Sequence, residues 1–340
     1  MTSDYRSPLA LHQRFPGTRA LAHVSLGRWP TPVKPAPLLA RALGLDSLFV
    51  KCDDISGEAY GGNKVRKLEW LLGHALAQGR RSLITFGATG SNHVRATAVY
   101  GAQLGLRVHA ILSPQPDTSY LAANLQADRA AGAVLHMVDS FGAALARGTE
   151  LREELTEKEG IEPYVIPFGG SDGRGIIGFV NAALELDGQI AGGLVPQPDC
   201  IYLPYGSTGS AAGLALGLAA VGLRSTVVGV RVVPAEATNP VRTTRIMNEA
   251  ADLLREADDA FPAVSADDAA LTIREGFLGE GYAVPTPESQ AAVALAAGHG
   301  LHLETTYTGR ALAALTADGR AGSLAGQTVL FWNTYSSRGR

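Results

Sequence analysis

Apolar residues in this chain come in short unbroken runs, set between longer stretches where they recur every three or four positions. The runs are "DSLFVK" (46–51), "SLITFG" (82–87), "RVHAIL" (107–112), "AVLHMV" (133–138), "YVIPFG" (164–169), "CIYLPYG" (200–206), "TVVGVRVV" (226–233) and "TVLFWN" (328–333). Strands that are apolar throughout, instead of alternating with polar positions, are covered on both faces. Helical patterns separate most of them, and that alternation predicts an α/β fold with parallel-rich sheets sandwiched by helices. The clearest helix follows "GGN" at 61–63. Val65, Leu68, Leu71, Leu72 and Leu76 recur at helical spacing, with Asn63 as the expected N-cap. At 340 residues the chain exceeds one comfortable core, so two lobes are expected.

Composition narrows the function classes. Charged residues make up 18% and the net charge is −3, so the chain offers no electrostatic footprint for nucleic acid. Cys52 and Cys200 stand alone without CxxC spacing, which argues against a disulfide scaffold or a zinc site and fits a reducing cytosol. The segment "MTSDYRSPLALHQRFPG" (1–17) lacks an apolar leader core. The longest apolar run, "AAGLALGLAAVGL" (211–223), is too short and glycine-rich to span a bilayer. The expectation is a cytoplasmic protein with no membrane partner and no metal.

Four stretches carry candidate chemistry. "SGEAYGGNKVRKLEWL" places Lys64 in the first turn of the predicted helix and Lys67 one turn on, along the same side. A partly desolvated amine at the positive end of a helix has a lowered pKa, and a neutral amine is what Schiff-base chemistry needs. Taken alone, the stretch is better explained by two solvated helix lysines. "LPYGSTGSAAGLALG" (203–217) is a strand that ends in Gly206-Ser207-Thr208-Gly209 and opens a helix, an anion cradle of amides, hydroxyls and helix dipole. Its glycine spacing fits neither a Walker loop nor a dinucleotide fingerprint, so a small monophosphate suits it better, or no ligand at all. "FGATGSNHVRATA" (86–98) sets Ser91, Asn92 and His93 at a strand-to-helix junction, where they can grip a ligand's polar edge or merely cap the helix. "PFGGSDGRGIIGF" (167–179) contains a G-x-S-x-G match centred on Ser171, with His299 or His302 downstream. That leaves a serine hydrolase open, although glycines at 169, 170, 173, 175 and 178 suggest a flexible interlobe turn.

In that order, "KCDDISG…GGNKVRKLEWL", "GATGSNHVRATA", "PFGGSDGRGIIGF", "GSTGSAAGL", "GYAVPTPES" and "TYTGRALAAL" resemble the pyridoxal-phosphate enzymes that include D-cysteine desulfhydrase and 1-aminocyclopropane-1-carboxylate deaminase. The resemblance covers nearly the whole chain, from about residue 30 to the last strand. It implies the two-lobed tryptophan-synthase-β-like fold (fold type II), with residues 65–170 as a smaller lobe inserted between 1–64 and 171–340. Lys64 would be the Schiff-base lysine, and Lys67 with Gly206, Ser207, Thr208 and Gly209 would hold the cofactor phosphate. Asn92 would meet the ring and its phenolic oxygen; Ser91 and His93 would lie on the substrate side with Tyr282 and Tyr307. Thr308 would face the pyridine nitrogen, where a hydroxyl instead of a carboxylate leaves that nitrogen neutral. With His93 where the ring-opening deaminases carry glutamine, this favours β-elimination from a small amino acid, giving a keto acid and ammonia. Ring-opening deamination and β-replacement are the alternatives, and a homodimer is expected. Two departures mark the chain: Gly90 stands where the family has glutamine, and "WNTYSS" (332–337) replaces a His-Thr-Gly-Gly segment.

Overall fold

The structure, a computed structural model, describes residues 8–338. The reading of the first seventeen residues as free of a leader therefore falls partly, at residues 1–7, outside the described residues. Among the described residues ten strands form two sheets. β1 (Val33–Pro35), β2 (Ser47–Cys52), β7 (Cys200–Tyr205), β8 (Thr226–Arg231), β9 (Leu271–Arg274) and β10 (Thr328–Asn333) make the first, in the order β1-β2-β10-β7-β8-β9. Only β1 runs antiparallel to its neighbour. β3 (Ser82–Ala88), β4 (Arg107–Ser113), β5 (Val134–Met137) and β6 (Tyr164–Ile166) make the second, all parallel, in the order β5-β4-β3-β6.

Each apolar run predicted as a strand contributes one, because a parallel strand covered on both faces has no solvent side on which to place polar residues. The 164–169 run is cut short: Pro167 offers no ladder N–H, and Phe168–Gly170 turns into a 3-10 segment. β1 and β9 were not legible as apolar runs; both are short edge strands with charged or polar residues in the run.

The apolar 211–223 run supplies a buried helix, Gly209–Ala220, which packs on the Ile177–Ala191 helix against the first sheet. Its glycines allow the close approach. A Cβ at Gly213 would stand 2.4 Å from the Ile176 carbonyl, and one at Gly217 2.6 Å from the Ala183 Cβ. The same holds for the glycine-rich 169–178 stretch, expected to be a flexible turn. A Cβ at Gly178 would stand 2.0 Å from the Arg66 carbonyl and one at Gly175 2.3 Å from the Gly170 carbonyl. These glycines serve tight packing of the Ile177–Ala191 helix on the Lys64–Ala77 helix. Among the described residues no helix is long and apolar enough to cross a membrane, and no group of three or more His, Cys, Asp or Glu is placed to share a metal. Cys52 and Cys200 are both free and buried.

Candidate active site

The carboxyl ends of strands from both sheets open onto one cleft of about 540 Å³. Open α/β sheets bind ligands at such ends, because loops and helix N-termini converge there. Lys64, Ser91, Asn92, His93, Gly206, Ser207, Thr208, Tyr282 and Tyr307 all line it, although they lie up to 243 positions apart, from 64 to 307. Lys67, Gly209 and Thr308 stand one layer behind this lining.

Lys64 opens its helix as expected, but Asn63 does not cap with its side chain. The Asn63 carboxamide is spent elsewhere: its oxygen accepts from Lys64 Nζ at 3.0 Å, and its nitrogen donates to Ser210 Oγ at 2.9 Å. Asn63 therefore aims the lysine amine and ties it to the helix that follows the glycine-rich turn. Burial lowers the Lys64 pKa to about 8, with the Glu304 charge pulling weakly the other way. Lys67 is fully buried, and its ammonium donates to the Gly169 carbonyl at 3.1 Å and to Ser171 Oγ at 2.9 Å. Burial, then the charges of Lys64 and Arg242, hold its pKa well below the ordinary lysine value. Lys67 is therefore interior, and Lys64 is half-buried in the wall of the cleft, so the solvated-face reading falls for both.

Ser171 Oγ in turn donates to Ser207 Oγ at 2.9 Å, so a chain Lys67–Ser171–Ser207 leads from the interior to the cleft. Ser171 is thus not poised as a nucleophile. The hydrogen bonds of its hydroxyl run to Lys67, Ser207 and the Gly169 carbonyl, not to an imidazole, and His299 and His302 both lie exposed on the surface.

The turn itself fits a phosphate ester. Thr208 adopts φ +69°, a strained conformation for a β-branched residue, and its buried Oγ1 has no partner. A Cβ at Gly169 would stand 2.1 Å from Ser207 Oγ and close the cradle. The cradle holds hydroxyls, an ammonium behind them and the first-turn amides of the Gly209–Ala220 helix, all capable of donating to one anion. An orphaned hydroxyl in such a donor set is accounted for by a phosphate oxygen.

On the facing wall, the Ser91 hydroxyl caps the Asn92–Gln103 helix by accepting from Val94 N at 3.3 Å. His93 Nε2 bonds Thr85 Oγ1 at 3.0 Å, while its buried Nδ1 has no partner. Burial, reinforced by Lys64 and Lys67, keeps this imidazole neutral far below its usual pKa. The Tyr282 and Tyr307 hydroxyls lie 2.6 Å apart. Burial pushes Tyr282 up to about 12 and Tyr307 well above 10, so both stay phenols that can donate a proton.

Several functional residues escaped the sequence reading. Glu304 lines the cleft, and its carboxylate accepts from the amides of Thr306, Tyr307 and Thr308 at 2.8–2.9 Å and from the Thr308 hydroxyl at 3.1 Å. Thr308, expected as a neutral hydroxyl standing alone, therefore has a carboxylate directly behind it. The acidic residue just before "TYTGR" was the available signal. Gln115 accepts from Gly90 N at 3.0 Å, and a Cβ at 90 would stand 2.7 Å from its Nε2. Glycine at 90 is what makes room for this distant glutamine, which no local motif announces. Arg242, from the Pro240–Ala257 helix, lines the cleft and donates to the Ser171 carbonyl at 3.0 Å. The departing C-terminal segment closes the site. Thr334 O accepts from Asn63 N at 3.1 Å, Ser336 Oγ from Gly61 N at 2.9 Å, and Thr334, Tyr335 and Ser336 line the cleft.

A family profile described as pyridoxal-phosphate dependent enzyme matches residues 24–334. The chain is 36% identical over 293 residues to a D-cysteine desulfhydrase of Klebsiella pneumoniae (strain 342), covering 84% of this chain and 85% of that protein. Among solved structures, an ACC deaminase homologue superposes with a TM-score of 0.81 at 31% identity, covering 97% and 95% of the two chains. An L-serine ammonia-lyase from Rhizomucor miehei shares the fold at a TM-score of 0.63 and 19% identity, covering 93% of this chain and 95% of that one.

Proposed function

This chain belongs to the pyridoxal-phosphate dependent enzymes, and on that premise we propose that it removes a β leaving group from a small amino acid, releasing a keto acid and ammonia. The observation that carries this reading is one juxtaposition. A half-buried amine with its pKa lowered to about 8, Lys64, shares a cleft with a cradle whose buried Thr208 hydroxyl is left without a partner. The fold type II architecture and the use of pyridoxal phosphate follow from family membership. When bound, the cofactor supplies an electron sink for the charge left at the substrate's Cα.

The chain's own residues divide the remaining work. Gly206, Ser207, Thr208 and Gly209 bind the phosphate, with Lys67 acting through Ser171. Lys64 Nζ, aimed by its hydrogen bond to Asn63 Oδ1, accepts the Cα proton. Ser91, Asn92 and His93 hold the substrate end, His93 as a neutral imidazole with an unpartnered Nδ1. The Tyr282–Tyr307 pair donates a proton toward the departing group, because both phenols remain protonated at neutral pH. Histidine at 93 favours elimination over ring opening; the Thr308 hydroxyl, expected at the ring nitrogen, is held by Glu304 behind the lining while the Glu304 carboxylate itself lines the cleft, so Thr308 does not carry that choice. The relative named D-cysteine desulfhydrase makes a thiol the first leaving group to try. The four-stranded sheet falls within 65–170, which we take as the inserted lobe, with 1–64 and 171–340 as the larger one. A cytoplasmic homodimer completes the reading; the two free buried cysteines suit a reducing compartment, and light scattering tests the assembly.

The deciding experiment is a turnover panel of D- and L-amino acids bearing thiol, chloride or acetate at Cβ, assayed for keto acid and ammonia. The purified protein should be yellow, and borohydride should bleach it by fixing the cofactor to one lysine. A colourless protein that takes up no added pyridoxal phosphate would sink this reading.

A further inference from the structure

Asn92 lines the cleft, and which end of its carboxamide faces the ligand is dictated from outside the site. Arg95, one turn along the same helix, donates from Nη1 to Asn124 Oδ1 at 2.8 Å. Asn124 is fully buried on the Leu121–Ala130 helix, and its Nδ2 donates to the Gly90 carbonyl at 2.8 Å. A guanidinium can only donate and a carbonyl can only accept, so these two contacts leave the Asn124 amide a single orientation. The same Nδ2 donates to Asn92 Oδ1 at 3.1 Å. The Tyr60 hydroxyl donates to that oxygen as well, at 3.1 Å, and the Arg95 guanidinium sits 5.0 Å from the centre of the Tyr60 ring. With both donors on Oδ1, the remaining N–H groups of Asn92 Nδ2 turn to the cleft.

We propose that Asn124 is a positioning residue: it relays the fixed polarity of Arg95 to Asn92, so that Asn92 meets its ligand only as a hydrogen-bond donor. The group it recognises is therefore an oxygen that accepts hydrogen bonds. The proposal rests on the reading of the cleft as a pyridoxal-phosphate site, which leaves two sources for that oxygen: the cofactor's phenolic oxygen and the substrate's carboxylate. Gly90 belongs to the same device, since its carbonyl is one of the two anchors of Asn124 and its amide is held by Gln115.

Asn124→Asp tests the relay in the holoenzyme. The substituted carboxylate keeps the Arg95 contact but has no N–H for Gly90 or Asn92. Asn92 must then turn its own NH2 toward that carboxylate and show its carbonyl to the ligand. Hydrogen bonds to charged groups are the stronger class, so the loss should be on the order of tenfold to a hundredfold. Two readouts separate the sources. Glycine and glycinamide are titrated against the bound cofactor's visible absorbance, and that absorbance is followed against pH without added amine. If the carboxylate is the partner, the wild-type preference for glycine over glycinamide collapses in Asn124→Asp while the absorbance–pH curve stays put. If the phenolic oxygen is the partner, the curve moves instead. The thermal midpoint should fall, because the buried Gly90 carbonyl loses its donor, but a merely structural role for Asn124 would move neither the glycine preference nor the absorbance–pH curve of the folded holoenzyme. Asn124→Ala, leaving Tyr60 as the only donor to Asn92, should show the same losses in smaller measure, and it decides the question if Asn124→Asp does not fold. Wild-type preference together with a wild-type curve in the folded variant overturns the relay. A wild-type protein that never loads pyridoxal phosphate is a different result and overturns the proposed activity.

Discussion

One helix carries two buried charge clusters on different sides, and they are opposites. Arg66 lies inside the first. It donates to both oxygens of Asp53 at 2.8 Å and to both oxygens of Glu185 at 2.9–3.0 Å, while Trp332 Nε1 adds a bond to Asp53 at 2.8 Å. Lys51, 3.5 Å from Glu185, supplies the second cation and bonds Gln189 and the Thr31 carbonyl at 2.8 Å. Two cations thus face two carboxylates, and the region is self-contained. Lys64 and Lys67, two residues before and one after Arg66, have only neutral acceptors: Asn63 Oδ1, Gly169 O and Ser171 Oγ. Among the described residues neither has a carboxylate within ion-pair distance. Buried charge that the protein matches is structure; buried charge that it leaves unmatched is a place kept for an anionic ligand.

Replacing each cation should separate the two roles most sharply. Lys64→Ala should abolish fixation of the cofactor by borohydride and cut turnover by about 10⁴-fold, the upper end of what a positioned proton-transfer group contributes. Its denaturant midpoint should hold or rise, because an unmatched buried charge has gone. Arg66→Met should do the reverse. Asp53 and Glu185 lose their partner, and stability should drop by about 3–5 kcal/mol, read from urea unfolding, with the cofactor still captured by the folded fraction. If Arg66→Met spares stability while Lys64→Ala unfolds the protein, the contrast is inverted and the assignment of the site goes with it.

Titration sharpens the same contrast. In the cofactor-free protein burial lowers the Lys64 pKa from 10.5 to about 8. Between those values the unfolded chain holds a proton that the folded chain lacks, so this lysine makes stability rise with pH across the window. Its cost is fully present below about pH 8, at most about 3 kcal/mol. Lys51 titrates in the same window, so the wild-type slope alone decides nothing. The difference between wild type and Lys64→Met carries the test, and equal slopes refute it. Near neutral pH the same lowering raises the fraction of neutral amine about 300-fold over an ordinary lysine, which is the form that captures a carbonyl.

Thr208 gives a smaller effect whose two halves have opposite sign. Its hydroxyl is buried and unpartnered, so Thr208→Val should leave the cofactor-free protein as stable or slightly more so. The same change should weaken pyridoxal phosphate about tenfold by absorbance titration and leave pyridoxal, which has no phosphate, unaffected. Equal weakening of both would place Thr208 away from the phosphate.

How much of this could be read from the chain follows from how local each signal is. Lys64, the Gly206–Gly209 turn and the Ser91-Asn92-His93 junction each sit where a strand or loop runs into a helix, and that grammar is written within a dozen residues. Asn63 shows the limit. Its residue type and place announce an N-cap, yet its carboxamide goes to Lys64 and Ser210, the latter 147 positions away. Gln115 and Asn124 act on the 90–92 loop from 25 and 34 positions further along, and nothing in "SPQPDTSYLAAN" marks them. Glu304 was visible only as an acid before "TYTGR". The parallel strands were legible because double-sided burial leaves an unbroken apolar run, whereas the edge strands β1 and β9 have no such requirement.

Ser171 joins the cleft to the lysine behind it, and its removal is the mildest test. The G-x-S-x-G pattern around it suggests a nucleophile, but its hydroxyl accepts from Lys67 at 2.9 Å and donates to Ser207 at 2.9 Å. A serine so placed transmits the Lys67 charge toward the cradle and orients the Ser207 hydroxyl. Ser171→Ala leaves Lys67 with the Gly169 carbonyl alone and frees Ser207 to turn. An ordinary hydrogen bond contributes about 1 kcal/mol, so pyridoxal phosphate should bind about fivefold more weakly, with turnover at saturating cofactor close to wild type. A nucleophile behaves otherwise: its loss would abolish turnover while the cofactor stayed bound. Measuring affinity and saturated turnover on the same variant therefore decides whether Ser171 belongs to the unmatched region as a conduit for its charge or to a different chemistry altogether.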